Sequence, residues 1–104
     1  MRALTKKVAI ITGASSGIGE AAARLFASEG ASLVIVARRQ AELNRVLSGI
    51  ETLGAQAIAV AGDVSEEATA ERAVNAALTT FGGLDIAFNN AGTLGAMGPT
   101  LPRH

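Results

Sequence analysis

Cysteine, tryptophan and tyrosine are all missing from the 104 residues, and the single histidine is His104, the last one. Without cysteine there is no disulfide framework and no thiolate chemistry. With one terminal histidine, a histidine-based metal site or nucleophilic triad has nothing to build on, so no metal ligands are expected. An excess of charge is missing too: nine Lys plus Arg face nine Asp plus Glu, for a formal net charge of zero. No basic field exists to attract nucleic acid or an anionic membrane, and both are set aside as partners. Long apolar runs are also absent from the N-terminal region. Val8–Ile11 is too short for a signal-peptide core or a membrane span, so a soluble, cytoplasmic protein is expected.

What remains is 49% hydrophobic and 17% charged, enough apolar material for the core of one domain. It is arranged in alternating patterns. Val8-Ala9-Ile10-Ile11 is a continuous apolar, largely β-branched run, as expected of a strand buried on both faces. Leu33 to Val36 repeats that signal, Ala57 to Val60 carries it more weakly, and Ile86-Ala87-Phe88 closes the series. Between the runs the period becomes helical. Ile18, Ala21, Ala22, Leu25 and Phe26 fall on one predicted core face, ended by Gly30. Leu43, Val46, Leu47 and Ile50 form the next stripe, before Gly54. Ala70, Ala73, Val74, Ala77, Leu78 and Phe81 form the third, before Gly82-Gly83, with Glu66 and Glu67 favourably placed in its first turn. The order βαβαβαβ with short, right-handed connections predicts an α/β fold. It is a Rossmann-type parallel sheet with helices on both faces, limited to the first four strands in the order 3-2-1-4. Residues 1–92 are read as one partial domain of this type and 93–104, with Pro99 and Pro102, as an irregular tail.

The most informative segment is Thr12-Gly13-Ala14-Ser15-Ser16-Gly17-Ile18-Gly19, directly between the first strand and the first helix. Glycine there serves a tight reversal, close approach of backbone to a pyrophosphate, and packing of helix on strand. The helix N-terminus adds free N–H groups and the positive end of its dipole. Glycines alone are weak evidence, but the strand before and the helix after supply the context the motif requires. A dinucleotide site commonly has an acidic residue about 20 positions further on, bonded to the ribose 2′-hydroxyl. Here the second strand ends Ala37-Arg38-Arg39, without a carboxylate. Guanidinium groups suit a 2′-phosphate, so NADP(H) is expected in preference to NAD(H); the plainer alternative is two arginines ending a strand in solvent. Asp63-Val64 and Asn89-Asn90-Ala91-Gly92 follow the third and fourth strands, at the strand ends where open α/β sheets bind ligands. Both are equally readable as ordinary turn formers.

Taken together, these segments resemble the short-chain dehydrogenases/reductases. Thr12 to Gly19 is similar to the family's TGxxxGIG cofactor motif, Asp63-Val64 to its adenine-contacting Asp-Val, and Asn89-Asn90-Ala91-Gly92 to its NNAG motif, preceded by a fitting Leu84-Asp85-Ile86. The resemblance implies that Gly13, Ser15, Ser16, Gly17, Ile18 and Gly19 line the pyrophosphate and neighbouring ribose. It implies that Arg38 sits beside the 2′-phosphate and that Asp63 accepts from the adenine amino group, with Val64 packed beside it. Asn90, Ala91 and Gly92 would border the cofactor, the asparagine pair also fixing the central strand.

The family's reaction depends on a serine, a Tyr-x-x-x-Lys pair and usually an asparagine further along a longer chain. This sequence has no tyrosine, and its only lysines are Lys6 and Lys7. None of its serines falls in the corresponding region, so no catalytic residue is assigned. The expectation is an NADP(H)-binding fragment whose intact parent transfers hydride between NADP(H) and a small-molecule alcohol or ketone. The alternatives are a standalone nucleotide-binding module and a non-functional remnant; a methyltransferase-like or flavin-binding variant is more distant. In the implied full fold the fourth strand is internal, so its free apolar edge here predicts self-association.

Overall fold

The computed structural model of the protein describes residues 3–14, 17–63 and 65–89. The β-branched runs form the strands β1 (Val8–Thr12), β2 (Ser32–Ala37), β3 (Ala57–Ala61) and β4 (Ile86–Asn89). The helices between them are α1 (Gly17–Ser28), α2 (Gln40–Thr52) and α3 (Glu67–Ala76), the last continued through Ala77–Phe81 as a wider π-type turn. The strands lie in one sheet in the order β3-β2-β1-β4, and every pairing is parallel. This is a Rossmann-type arrangement.

Alternation along the strands divides the apolar residues between two layers. Ala9, Ile11, Leu33, Ile35 and Ala37 pack with Leu43, Val46 and Ile50 of α2 and with Ala23 and Ala27 of α1. Val8, Ile10, Val34, Val36 and Val60 face the other way, onto Ala73 and Ala77. All five residues of β1 are buried, as its place inside the sheet requires. The stripe assigned to α2 lies where the sequence puts it.

Two stripes do not. On α1 the buried positions are Gly19, Ala23 and Ala27, while Ile18 is 70% and Leu25 57% exposed. Ala21 is exposed as well, and only Ala22 and Phe26 are half-buried. The helix is seated on the sheet through its smallest residues at four-residue spacing, which lets the two backbones approach closely; larger side chains at those positions would hold it off. On the third helix Leu78 is 50% exposed. The residues buried on this helix are Thr69, Ala73 and Ala77 at four-residue spacing, with Phe81 packed against the same cluster, so Leu78 lies off the side that meets the sheet. Asn90, Ala91 and Gly92 and the predicted tail 93–104 lie outside the described residues, as do Ser15, Ser16 and Val64.

Candidate cofactor site

Parallel pairing brings the carboxyl ends of all four strands to one edge of the sheet. Thr12 is in register with Val36 on one side and Asn89 on the other, and Ala37 with Ala61. Gly13, Arg38, Asp63 and Asn89 are therefore brought together by topology, although up to 76 positions separate them. Such an edge is where ligands of open α/β sheets bind.

The glycine turn leaves β1 at Gly13, whose φ of 67° is left-handed and strains any other residue. The Ala14 N–H donates to the Val36 carbonyl at 3.2 Å, fixing the turn to β2. Gly17 opens α1, and a Cβ built on it meets nothing within 4 Å. Its backbone is not left-handed, so neither packing among the described residues nor dihedral strain demands a glycine there. A ligand lying against the helix N-terminus does demand one, which is the fit a pyrophosphate requires. Ile18, exposed beside Gly17, is free for a ligand to cover. Gly19 is buried and serves the seating of the helix on the sheet.

At the next strand ends, Asp63 and Arg38 face each other with Oδ2 and Nη2 3.4 Å apart. The other oxygen of Asp63, Oδ1, accepts from the Ser65 backbone N–H at 2.9 Å and from its hydroxyl at 2.7 Å. The two Ser65 bonds, reinforced by the positive charge of Arg38, hold the Asp63 carboxyl below its ordinary pKa. Asp63 is thus an ionised acceptor, suited to an amino-group donor such as that of adenine. Close behind it, a Cβ on Gly62 would stand 2.6 Å from Thr69 Oγ1 and 2.7 Å from Arg72 Nη2. Side chains of the third helix lie over the backbone there, and any larger residue must displace the buried Thr69.

Thr12 connects the inner strand β1 to the edge strand β4: its hydroxyl donates to Asn89 Oδ1 at 3.0 Å. Asn89 holds β4 against β1 in this way. Ser65 was not singled out by the sequence reading, though an Asp followed two residues later by Ser is a recognisable side-chain-to-backbone turn. Also missed was Glu20 in the first turn of α1. Both its oxygens accept from Arg45 of α2 at 3.1 Å, and Arg24 donates to it as well. These guanidinium groups, Arg45 first, pull the Glu20 pKa down against the effect of its burial. Among the described residues no cluster of His, Cys, Asp and Glu is arranged to hold a metal ion. No described helix is long and apolar enough to cross a membrane.

A glycine turn at the central strand, a guanidinium at the second strand end and an acceptor at the third together define a Rossmann-type nucleotide-site architecture. The chain belongs to the short chain dehydrogenase family, whose model matches residues 7–102. It is 50% identical over 96 residues to the mitochondrial borneol dehydrogenase of Lavandula x intermedia, covering 92% of this chain and 35% of that protein. It is 43% identical over 99 residues to a (+)-cis,cis-nepetalactol synthase of Nepeta racemosa, covering 94% and 36% respectively. The L-sorbose reductase of Gluconobacter frateurii, solved with NADPH and L-sorbose, superposes with a TM-score of 0.82 at 43% identity. That superposition covers 88% of this chain and 35% of the reductase. The chain therefore spans about a third of the length of these relatives.

Proposed function

We propose that this chain is the NADP(H)-binding portion of a cytoplasmic short-chain reductase, with residues 1–92 as the binding unit. The observation that carries the proposal is the pair at the second and third strand ends. Arg38 stands where a carboxylate would bond a 2′-hydroxyl, and Asp63, ionised, stands opposite it. Arg38 takes the 2′-phosphate, Asp63 the adenine amino group, and Gly13, Gly17, Ile18 and Gly19 the pyrophosphate and adjoining ribose. Ser15, Ser16, Val64, Asn90, Ala91 and Gly92 join them by the family resemblance. The presence of NADPH in the related sorbose reductase supports the choice of dinucleotide.

The bound cofactor supplies or accepts a hydride, and the parent reaction interconverts an alcohol and a ketone. What these residues do is bind and orient the cofactor. A proton donor at the substrate oxygen is not among them, since the chain has no tyrosine. Among the described residues β4 pairs only with β1, and its other edge is our proposed site of self-association.

Calorimetric titration of the purified chain with NADPH and NADH tests the proposal. NADPH is expected to bind more tightly, without oxidation of any alcohol in the presence of NADP. A clear preference for NADH overturns the cofactor choice, and turnover overturns the non-catalytic one.

A further inference from the structure

Arg38 and Asp63 lie 25 positions apart in sequence and are held very differently. The carboxylate of Asp63 is fixed within its own turn by the two Ser65 bonds to Oδ1. The Arg38 side chain is 77% exposed, and its side-chain partner among the described residues is Oδ2 of Asp63. The anchored group is thus the acid, and the group being anchored is the base. We infer that Asp63 is the positioning residue for Arg38, and so helps set the preference for a 2′-phosphorylated nucleotide in addition to receiving adenine. The inference rests on the NADP(H)-binding function proposed above.

The physical reason is the cost of ordering a long side chain. An arginine loses much rotamer freedom when it is pinned by a ligand, and that loss is subtracted from binding. Here Asp63 restrains the guanidinium before a ligand arrives. A 2′-phosphate then meets a donor already tethered to the turn that follows β3. Asp63 also carries a charge of the same sign as the phosphate, which acts in the opposite sense. Solvent screens this repulsion and the attraction between Asp63 and Arg38 alike, and the restraint is the part that acts before the phosphate arrives. At 3.4 Å the contact is long for a hydrogen bond, so Oδ2 keeps room for the adenine amino group. One carboxylate oxygen then serves both recognition events, and adenine binding and phosphate binding become coupled.

The test compares adenosine 2′,5′-bisphosphate with adenosine 5′-monophosphate on the full chain by calorimetry, because the ratio of their Kd values isolates the 2′-phosphate. Asp63→Asn keeps an acceptor oxygen but loses the charge. We expect it to weaken both nucleotides and, separately, to narrow the ratio about three- to fivefold, the scale of an exposed charge pair. Ser65→Ala, which frees Asp63 without neutralising it, should narrow the ratio by a smaller factor. Arg38→Ala should remove the ratio, and should cost less in the Asp63→Asn background than alone. An unchanged ratio in Asp63→Asn overturns the inference, since Asp63 then serves adenine alone; a widened ratio overturns it too, since charge repulsion then prevails. Either result leaves NADP(H) binding standing. If the unsubstituted chain binds neither nucleotide, the proposed function itself fails and the inference falls with it.

Discussion

Phe26 of α1 and Phe88 of β4 meet edge to face, with ring centroids 6.1 Å apart and ring planes at 90°. Helix α1 thereby touches the sheet's outermost strand as well as the pair beneath it. Since Phe26 is only half-buried, Phe26→Ala should cost less than a fully buried phenylalanine does, about 2 kcal/mol. The check is the urea midpoint at constant slope. An unchanged midpoint would mean that the ring contact contributes nothing.

Gly17 and Gly62 separate ligand need from packing need. A side chain on Gly62 collides with Thr69, itself 1% exposed, so Gly62→Ala should destabilise the fold by about 1–3 kcal/mol. Gly17 has open space before it. Gly17→Ala should leave thermal stability unchanged or slightly raised, yet weaken NADPH at least tenfold by intruding on the pyrophosphate. Retained affinity in Gly17→Ala would falsify the placement of the pyrophosphate at this turn.

The two exposures on α1 reverse the usual expectation for apolar and small residues. Leu25→Ser, at a position 57% exposed, should change stability by less than about 0.5 kcal/mol. Ala23→Leu, at a fully buried position against the sheet, should cost about 1–3 kcal/mol despite adding hydrophobicity. Thermal melts of the two variants decide it, and the opposite order of stability would refute the seating of α1 on its alanines.

Glu20 makes part of the stability pH-dependent. Its pKa in the folded chain is depressed below the ordinary 4.5 by Arg45 and Arg24. The stabilisation is therefore fully present above that ordinary value and is lost as pH falls through the lower folded value. Glu20→Gln should be less stable than the parent at neutral pH, and the difference should vanish in acid. Parallel stability curves for the two chains from pH 7 to pH 2 would rule this out.

Strands were the most legible feature of the sequence. Val8–Ile11 and Leu33–Val36 are unbroken apolar runs because both sheet faces are covered, and the structure extends each by only one or two residues. The glycine turn was legible because Gly13 and its flanking strand and helix occur together. The orientation of α1 was not. Ala21, Ala22 and Ala23 are equivalent to a hydrophobicity pattern, so Ile18 and Leu25 dominated it, whereas close helix–sheet contact selects the smallest residue. The third helix likewise meets the sheet through Thr69, Ala73 and Ala77, and the larger Leu78 drew the hydrophobicity pattern away from them. Arg38 and Asp63 could each be placed separately, one after β2 and the other after β3. Their meeting depends on how β2 and β3 end side by side, which no local pattern encodes.

The bonds between Val8 and Asp85 bear on how the chain is made. The Val8 N–H donates to Asp85 Oδ2 at 2.9 Å, and the Asp85 N–H returns a bond to the Val8 carbonyl at 2.8 Å, across 77 positions. During synthesis β1 emerges first and pairs with β2 after a short crossover. Its other edge must wait until β4 has been translated. At about 5–20 residues per second, that wait lasts several seconds. For that interval a strand whose five residues are all buried in the folded sheet has one side open, so the ribosome-bound nascent chain is the form in which it most needs a chaperone.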